Sequence, residues 1–326
     1  SASSSNADGI MLYTSTYSLV ENNIIEVDAI GSDGISSYYY ADDNNITDNI
    51  ITTHSYSVGI DVSSYSNRNR IVNNTALTSN MKGISISESN NSTISQNIIN
   101  ASGDSYNGIT VTTSDLASVT NNTINTSGSG GDGLYLESVT NSNISDNIVR
   151  ASGSNAYGLY LKSNTGNLTL LNNNITSSPA AEIYDITTAE TSNILVYNNS
   201  FGQIMWNKTS LNTSIDLDIG NTIFLENNLV GLTDSGTPDQ LNGSAEIQIY
   251  GLSYTETPSL LKNGVRCDDG DNCNISYNSG TGILIANVSS FSNYTTSSNV
   301  NIISDCGNIS GAGDYELNQS ISSETT

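Results

Sequence analysis

Polar and apolar residues alternate with a period of two in short runs, and the runs recur at a fixed distance along the chain. The segments "GLYLES" (133–138) and "GLYLKS" (158–163) place Leu134, Leu136, Leu159 and Leu161 on one face and Tyr135, Glu137, Tyr160 and Lys162 on the other. That is strand alternation, not the 3.6-residue period of a helix. A glycine followed by an aliphatic residue recurs at Gly9-Ile10, Gly34-Ile35, Gly59-Ile60, Gly83-Ile84, Gly108-Ile109, Gly133-Leu134 and Gly158-Leu159, with spacings of 24 or 25 residues. The mark fades after Gly158, where Glu182-Ile183 takes its place. A second mark runs through Val20/Asn23, Ile46/Asn49, Ile71/Asn74, Ile94/Asn97, Val119/Asn122, Ile144/Asn147, Leu170/Asn173 and Val196/Asn199.

A fixed period of this length marks a repeat architecture, in which each copy buries its apolar face only by stacking on the next. The pattern predicts that each copy is one coil of a parallel β-solenoid. Each coil has about three short strands, coils stack roughly 4.8 Å apart, and glycine supplies backbone freedom at a corner. Stacking sets Asn23, Asn49, Asn74, Asn97, Asn122, Asn147, Asn173 and Asn199 in one column. An amide carries two donors and an acceptor, so such a column can satisfy itself along the axis.

The "GIxV…V/IxxNxI" coils between about 9 and 201 resemble right-handed parallel β-helix proteins with pectin-lyase-like and NosD-like repeats. The resemblance implies an all-β chain with about eight coils of about 25 residues, spanning 1–217. It does not fix a function, because this fold carries lyases, hydrolases, adhesins and structural rods.

Near residue 218 the period stops. Runs such as "AEIQIYGL" and "GILIANV", separated by "SGTPDQ", "DDGDN" and "NSGTG", predict a small immunoglobulin-like β-sandwich over 218–300. Cys267 and Cys273 flank "DDGDN" and read as a local disulfide, as expected outside the reducing cytosol. The alternative is a calcium loop through Asp268, Asp269 and Asp271, which lacks the EF-hand spacing and its closing glutamate. The stretch from "AEIQIYGL" to "SNYT" resembles a module of archaeal cell-surface proteins that follows β-helix repeats. There, a segment like "CGNISGAGDYELNQSISS" begins a further β-helix. By that resemblance 301–326 reads as the first coil of another solenoid, with Cys306 unpaired or bonded to another chain. The same segment could cap the first coil of a neighbouring subunit by strand addition. Repeated head to tail, such a contact gives a homopolymeric filament.

Charge narrows the partners. Among 326 residues, 32 Asp and Glu stand against 8 Lys and Arg, a net charge of -24. This excludes nucleic acid, which needs cations to displace its counterions, and disfavours anionic lipid. No apolar run is long enough to span a bilayer. Nineteen Asn-x-Ser/Thr acceptors occur, among them Asn45, Asn73, Asn121, Asn143, Asn174, Asn198, Asn207, Asn242, Asn287, Asn293 and Asn318. Asn73, Asn121, Asn174 and Asn198 adjoin column positions, and strand alternation would point them outward to carry glycans. The expected location is the extracellular cell surface, after removal of a leader.

Catalytic constellations are sparse in the sequence. The single histidine is His54, in "TTHSYS", and no nucleophile elbow accompanies it. Arg68, Arg70, Lys82, Arg150 and Lys162 are scattered, and Asp42-Asp43 reads as a solvated loop pair. Three Met and one His are few for a copper role. The chain is therefore expected not to be an enzyme, to bind no metal other than the calcium alternative, and to need no cofactor. Tyr13, Tyr135 and Tyr160 alternate outward, and "SSYYYA" adds a cluster. Outward rings can stack on sugars, although strands favour tyrosine in any case. The reading that follows is a structural subunit of a cell-surface filament, fibre or sheath. The alternative is an adhesin that binds carbohydrate through its tyrosine face, and a polysaccharide lyase or hydrolase ranks below both.

Overall fold

In the computed structural model, the described residues are 7–178, 180–187, 192–208, 211–233, 240–267 and 273–298, with the backbone of strands 300–303 and 314–317. The chain divides into two units, residues 1–197, 206–222 and 235–241, and residues 198–205, 223–234 and 242–326. The second unit thus takes up a stretch at 198–205 instead of starting at one boundary.

The first unit is a parallel β-helix. Its first sheet stacks eight strands from Ile10–Tyr13 to Ile183–Thr187. Eight more run in parallel from Leu19–Glu21 to Asn193–Asn198, and a third sheet of seven runs from Ile24–Val27 to Asn174–Ser177. Register follows the repeat: Ile84 pairs with Ile109, Ile109 with Leu134, and Leu134 with Leu159. The core is stacked aliphatics. Ile35, Ile60, Ile84, Ile109, Leu134, Leu159 and Ile183 from the first sheet are fully buried, as are Ile46, Ile71, Ile94, Val119, Ile144 and Leu170 from the second.

The repeat glycines do not provide a left-handed corner. None of Gly9 to Gly158 in that series has positive φ. They are small because a Cβ on Gly108 would meet the Ile124 side chain and, at 2.8 Å, the carbonyl of Gly133 in the next coil. Gly34, Gly59, Gly83 and Gly133 meet the same obstacle. The left-handed corners are made by other residues. Within or just after the first-sheet strands they are Thr14, Tyr39, Ser64, Glu88, Thr113, Ser138 and Ser163. Before the second they are Tyr17, Asp43, Arg68, Asn91, Leu116, Asn141 and Asn167. Between the second and third they are Asn22, Asp48, Asn73, Gln96, Asn121, Asp146 and Asn172. Asn and Asp accept this region more readily than most residues, and they hold ten of these 21 corner positions.

The second unit is antiparallel. Ala245–Ile249 pairs with Ile283–Val288, which pairs with Asn274–Asn278. A further sheet contains Ile223–Glu226, Leu229–Leu232, Tyr294–Ser297, Ser259–Lys262 and Val265–Arg266. Ile247, Ile249, Leu284, Ala286, Val230, Leu260 and Tyr294 form its buried side. Cys267 and Cys273 are bridged. Among the described residues the only helical element is one turn at Gln240–Asn242, and no helix is long and apolar enough to cross a membrane.

Candidate functional site

The outward positions of the first sheet form two straight columns, because strict register repeats each position above the last. One column runs Met11, Ser36, Asp61, Ser85, Thr110, Tyr135, Tyr160, Tyr184. Within the other, Thr112, Glu137, Lys162 and Ile186 follow in register. Beside them stands a turn column, the residue before each repeat glycine: Asp8, Asp33, Val58, Lys82, Asn107, Asp132 and Tyr157. These turns are stapled coil to coil through side chains. The Asp33 N–H donates to Asp8 Oδ1 at 2.8 Å and the Val58 N–H to Asp33 Oδ1 at 2.9 Å. Further along, the Asp132 N–H donates to Asn107 Oδ1 at 2.9 Å and the Tyr157 N–H to Asp132 Oδ1 at 2.8 Å.

Two ends of this face differ in chemistry. At one end Asp8, Asp33 and Asp61 converge. Ser36 Oγ donates to Asp8, and Ser63 Oγ donates to Asp61 Oδ2 at 2.9 Å. Burial pushes the Asp33 carboxyl up to about 7; the Asp61 and Asp8 charges add to this, and the Val58 N–H opposes it. Burial also raises Asp61, against hydrogen bonds from Ser63 and Ser85 and the nearby Lys82 ammonium. Asp33 is therefore a carboxyl that exchanges its proton near neutrality, the behaviour required of an acid–base group. Ser36, Ser85 and Thr110, although outward, are 4%, 5% and 2% exposed, so the face is recessed there.

At the other end four tyrosines assemble. Tyr157 and Tyr184 stack at 4.4 Å with rings 15° apart, Tyr157 and Tyr160 meet edge-on at 5.3 Å, and Tyr135 meets Tyr160 edge-on at 5.3 Å. The Tyr135 hydroxyl donates to Glu137 Oε2 at 2.7 Å and accepts from Lys162 Nζ at 3.1 Å. Lys162 also pairs with Glu137 at 3.4 Å. The Tyr135 hydrogen bond, more than the ion pair, holds Glu137 below the usual carboxylate range. Burial pushes Asp132, next to the group, up to about 6. A second cluster, Tyr13, Tyr38 and Tyr39, lies at the first coils with centroids 5.1–5.6 Å apart.

The residues singled out in the sequence fall as follows. Tyr13, Tyr135 and Tyr160 lie outward on the first sheet. The asparagine column runs from Asn23 to Asn173, each Oδ1 accepting from the amide before it, as in Asn97 Nδ2 to Asn122 Oδ1 at 3.0 Å. Asn199 does not belong to it. Its Nδ2 donates to the Leu225 carbonyl and its Oδ1 accepts from Phe201 N, because the parallel coils have ended. Asn73 and Asn121 are exposed, but a left-handed turn, not strand alternation, separates them from the column. Asn143, Asn207, Asn242 and Asn287 are exposed, whereas Asn45, Asn174, Asn198 and Asn293 are half-buried, and the side-chain oxygens of Asn45 and Asn293 are buried without a partner. Asp42 and Asp43 are not loose loop acids: Arg68 Nη2 reaches Asp42 at 3.0 Å and Asp43 at 2.8 Å across one coil. Arg70 opens a strand of the second sheet. Asp268, Asp269, Asp271, Cys306 and Asn318 lie outside the described residues. So does most of the segment read as a capping tail, within which Val300–Ile303 pairs in parallel with Asp314–Leu317.

The acid cluster was missed in the sequence: aligning coils on the repeat glycine places Asp8 and Asp33 just before the glycine but Asp61 two residues after it. What the alignment lacks is the burial that raises Asp33 and Asp61.

Comparison with known proteins bears on fold. The family described as "Right handed beta helix region" matches residues 1–127, and "Periplasmic copper-binding protein (NosD)" matches 75–215. The chain is a right-handed β-helix protein. No curated protein matches it. Among solved structures it is similar to the mannuronan C-5 epimerase AlgE4 A-module of Azotobacter vinelandii, with 18% identity over 57% of this chain and 56% of that one, TM-score 0.47. It is also similar to the periplasmic alginate epimerase AlgG, with 13% identity over 56% and 47%, TM-score 0.43. A third is the Dettilon tailspike protein, with 10% identity over 89% and 82%, TM-score 0.27. The chain spans about half the length of the two epimerase chains. The expectation that it is not an enzyme is corrected: the structures it resembles include enzymes, and the scattered-residue argument behind that expectation overlooked Asp33 and Asp61.

Proposed function

We propose that the outer face of the first sheet binds a polysaccharide lengthwise, outside the cytoplasm. The observation that carries this reading is the tyrosine group Tyr135, Tyr157, Tyr160 and Tyr184, three of them in one register column of the first sheet. Rings give apolar area with a polar edge, which suits pyranose faces. The acid-rich face and the charge of -24 favour neutral or amino sugars over polyuronates. The Cys267–Cys273 bridge fits an oxidising compartment. Affinity measurements against neutral, amino-sugar and uronate polysaccharides test it. The Tyr160→Ala and Tyr184→Ala variants should each weaken binding about tenfold, roughly 1.4 kcal/mol. Unchanged affinity in both would remove the tyrosine face from the site.

A second reading, acid–base processing of the bound chain, is favoured by the Asp33 carboxyl near neutrality beside Asp61. Incubation with the polysaccharides that bind, followed by product analysis, tests it. Activity lost in Asp61→Asn and Asp33→Asn but with binding retained supports it. Equal turnover in wild type and both variants sinks it.

A further inference from the structure

We infer that Glu26, Asp28 and His54 form a site for a first-row divalent transition-metal ion, separate from the tyrosine face. Glu26 lies on Ile24–Val27 of the third sheet, Asp28 follows that strand, and His54 follows Ile50–Thr53 one coil later. One donor atom from each lies within 4.8 Å of the others. His54 Nε2 stands 3.5 Å from Glu26 Oε1 and 3.9 Å from Asp28 Oδ1. Donors on one ion at about 2.1 Å sit up to about 4.2 Å apart, so small rotations of these half-exposed side chains close the set. The backbone is fixed already: the His54 N–H donates to the Val27 carbonyl at 3.0 Å, and Ser55 Oγ donates to the Asp28 carbonyl at 2.8 Å.

The donor set chooses the ion. One imidazole and two carboxylates suit zinc, nickel or cobalt better than calcium or magnesium, which prefer oxygen alone. The two carboxylates neutralise the ion, and the acidic surface concentrates cations. Three protein ligands leave coordination positions open. The ion would sit at the end of a groove of about 580 Å³ that His54 lines together with Thr52, Leu77, Asn100, Asn125 and Arg150. The three residues precede the 75–215 segment matched by the copper-binding family, so the inference is independent of that likeness.

Calorimetric titration of the metal-stripped chain with zinc chloride, with excess calcium present, tests the site. Saturable binding near one equivalent is expected, weakened at least tenfold by His54→Ala and by Glu26→Gln. His54 is the only histidine, so zinc should shift a single imidazole signal in nitrogen-15 spectra. All three positions are exposed, and the variants should keep the wild-type circular dichroism. Absence of saturable binding, displacement by calcium, or binding unchanged in both variants would overturn the assignment.

Discussion

Replacing Asn122 with alanine should cost about 3–5 kcal/mol of stability. The side chain is 1% exposed. Its Oδ1 accepts from both the backbone N–H and Nδ2 of Asn97 at 3.0 Å, and its Nδ2 donates to the Ile94 carbonyl at 2.9 Å and to Asn147 Oδ1 at 3.0 Å. Alanine strips this partner from two buried backbone groups, the Asn97 N–H and the Ile94 carbonyl, at about 1–3 kcal/mol each, and leaves an amide-sized void. The Asn97 and Asn147 side chains keep their other bonds, Asn97 Nδ2 to the Ile71 carbonyl and Asn147 Nδ2 to the Val119 carbonyl and Asn173 Oδ1. Aspartate keeps the shape but accepts only. One oxygen would face the Ile94 carbonyl and Asn147 Oδ1, so Asn122→Asp should fall below alanine at neutral pH and recover partly in acid. Urea unfolding followed by far-ultraviolet circular dichroism gives the global change. Because stacked coils can open separately, hydrogen exchange at the Asn97 N–H reads the local one. A loss below about 1 kcal/mol with unchanged exchange would show that the column fills space without holding the coils together.

Leu116 sits exposed at φ 58° in a corner column that holds Asn91, Asn141 and Asn167 in neighbouring coils, and Tyr17, Asp43 and Arg68 in earlier ones. Leu116→Asn should stabilise by about 1 kcal/mol, read as a higher urea midpoint, and a lower midpoint would refute the strain argument. Gly108→Ala should cost up to about 3 kcal/mol, because its Cβ meets the Gly133 carbonyl of the next coil. Wild-type melting of that variant would mean that the coils can spread. For Asp33 the folded state holds a proton up to about pH 7 that the unfolded chain releases near 3.8. Its contribution is full below the unfolded value and is lost as pH rises towards 7, at no more than about 1.4 kcal/mol per pH unit. Asp33→Asn should flatten stability between pH 4 and 7, and an unchanged pH profile would contradict the burial argument.

The repeat was legible because a solenoid writes its structure locally. Each coil repeats one pattern, so Gly9 to Gly158 and Asn23 to Asn173 fixed the period, the strand alternation and the buried amide column from spacing alone. The column end was not legible: Asn199 keeps the spacing, yet its bonds turn to Leu225 and Phe201 where parallel stacking stops. The sequence also pointed Tyr13, Tyr135 and Tyr160 outward, but did not show Tyr184 in the same column or its stacking on Tyr157 from a different element. Those contacts cross columns.

What the sequence determined by itself was the all-β repeat and its polar, acidic exterior, because periodicity and charge are properties of single positions. Only the tertiary structure decided which exterior groups act together. Burial raises the Asp33 and Asp61 carboxyls only where turn and sheet come together, and Glu26, Asp28 and His54 become one donor set only when consecutive coils stack. Desolvation and convergence are set by neighbours from other coils, and no single stretch of the chain contains them.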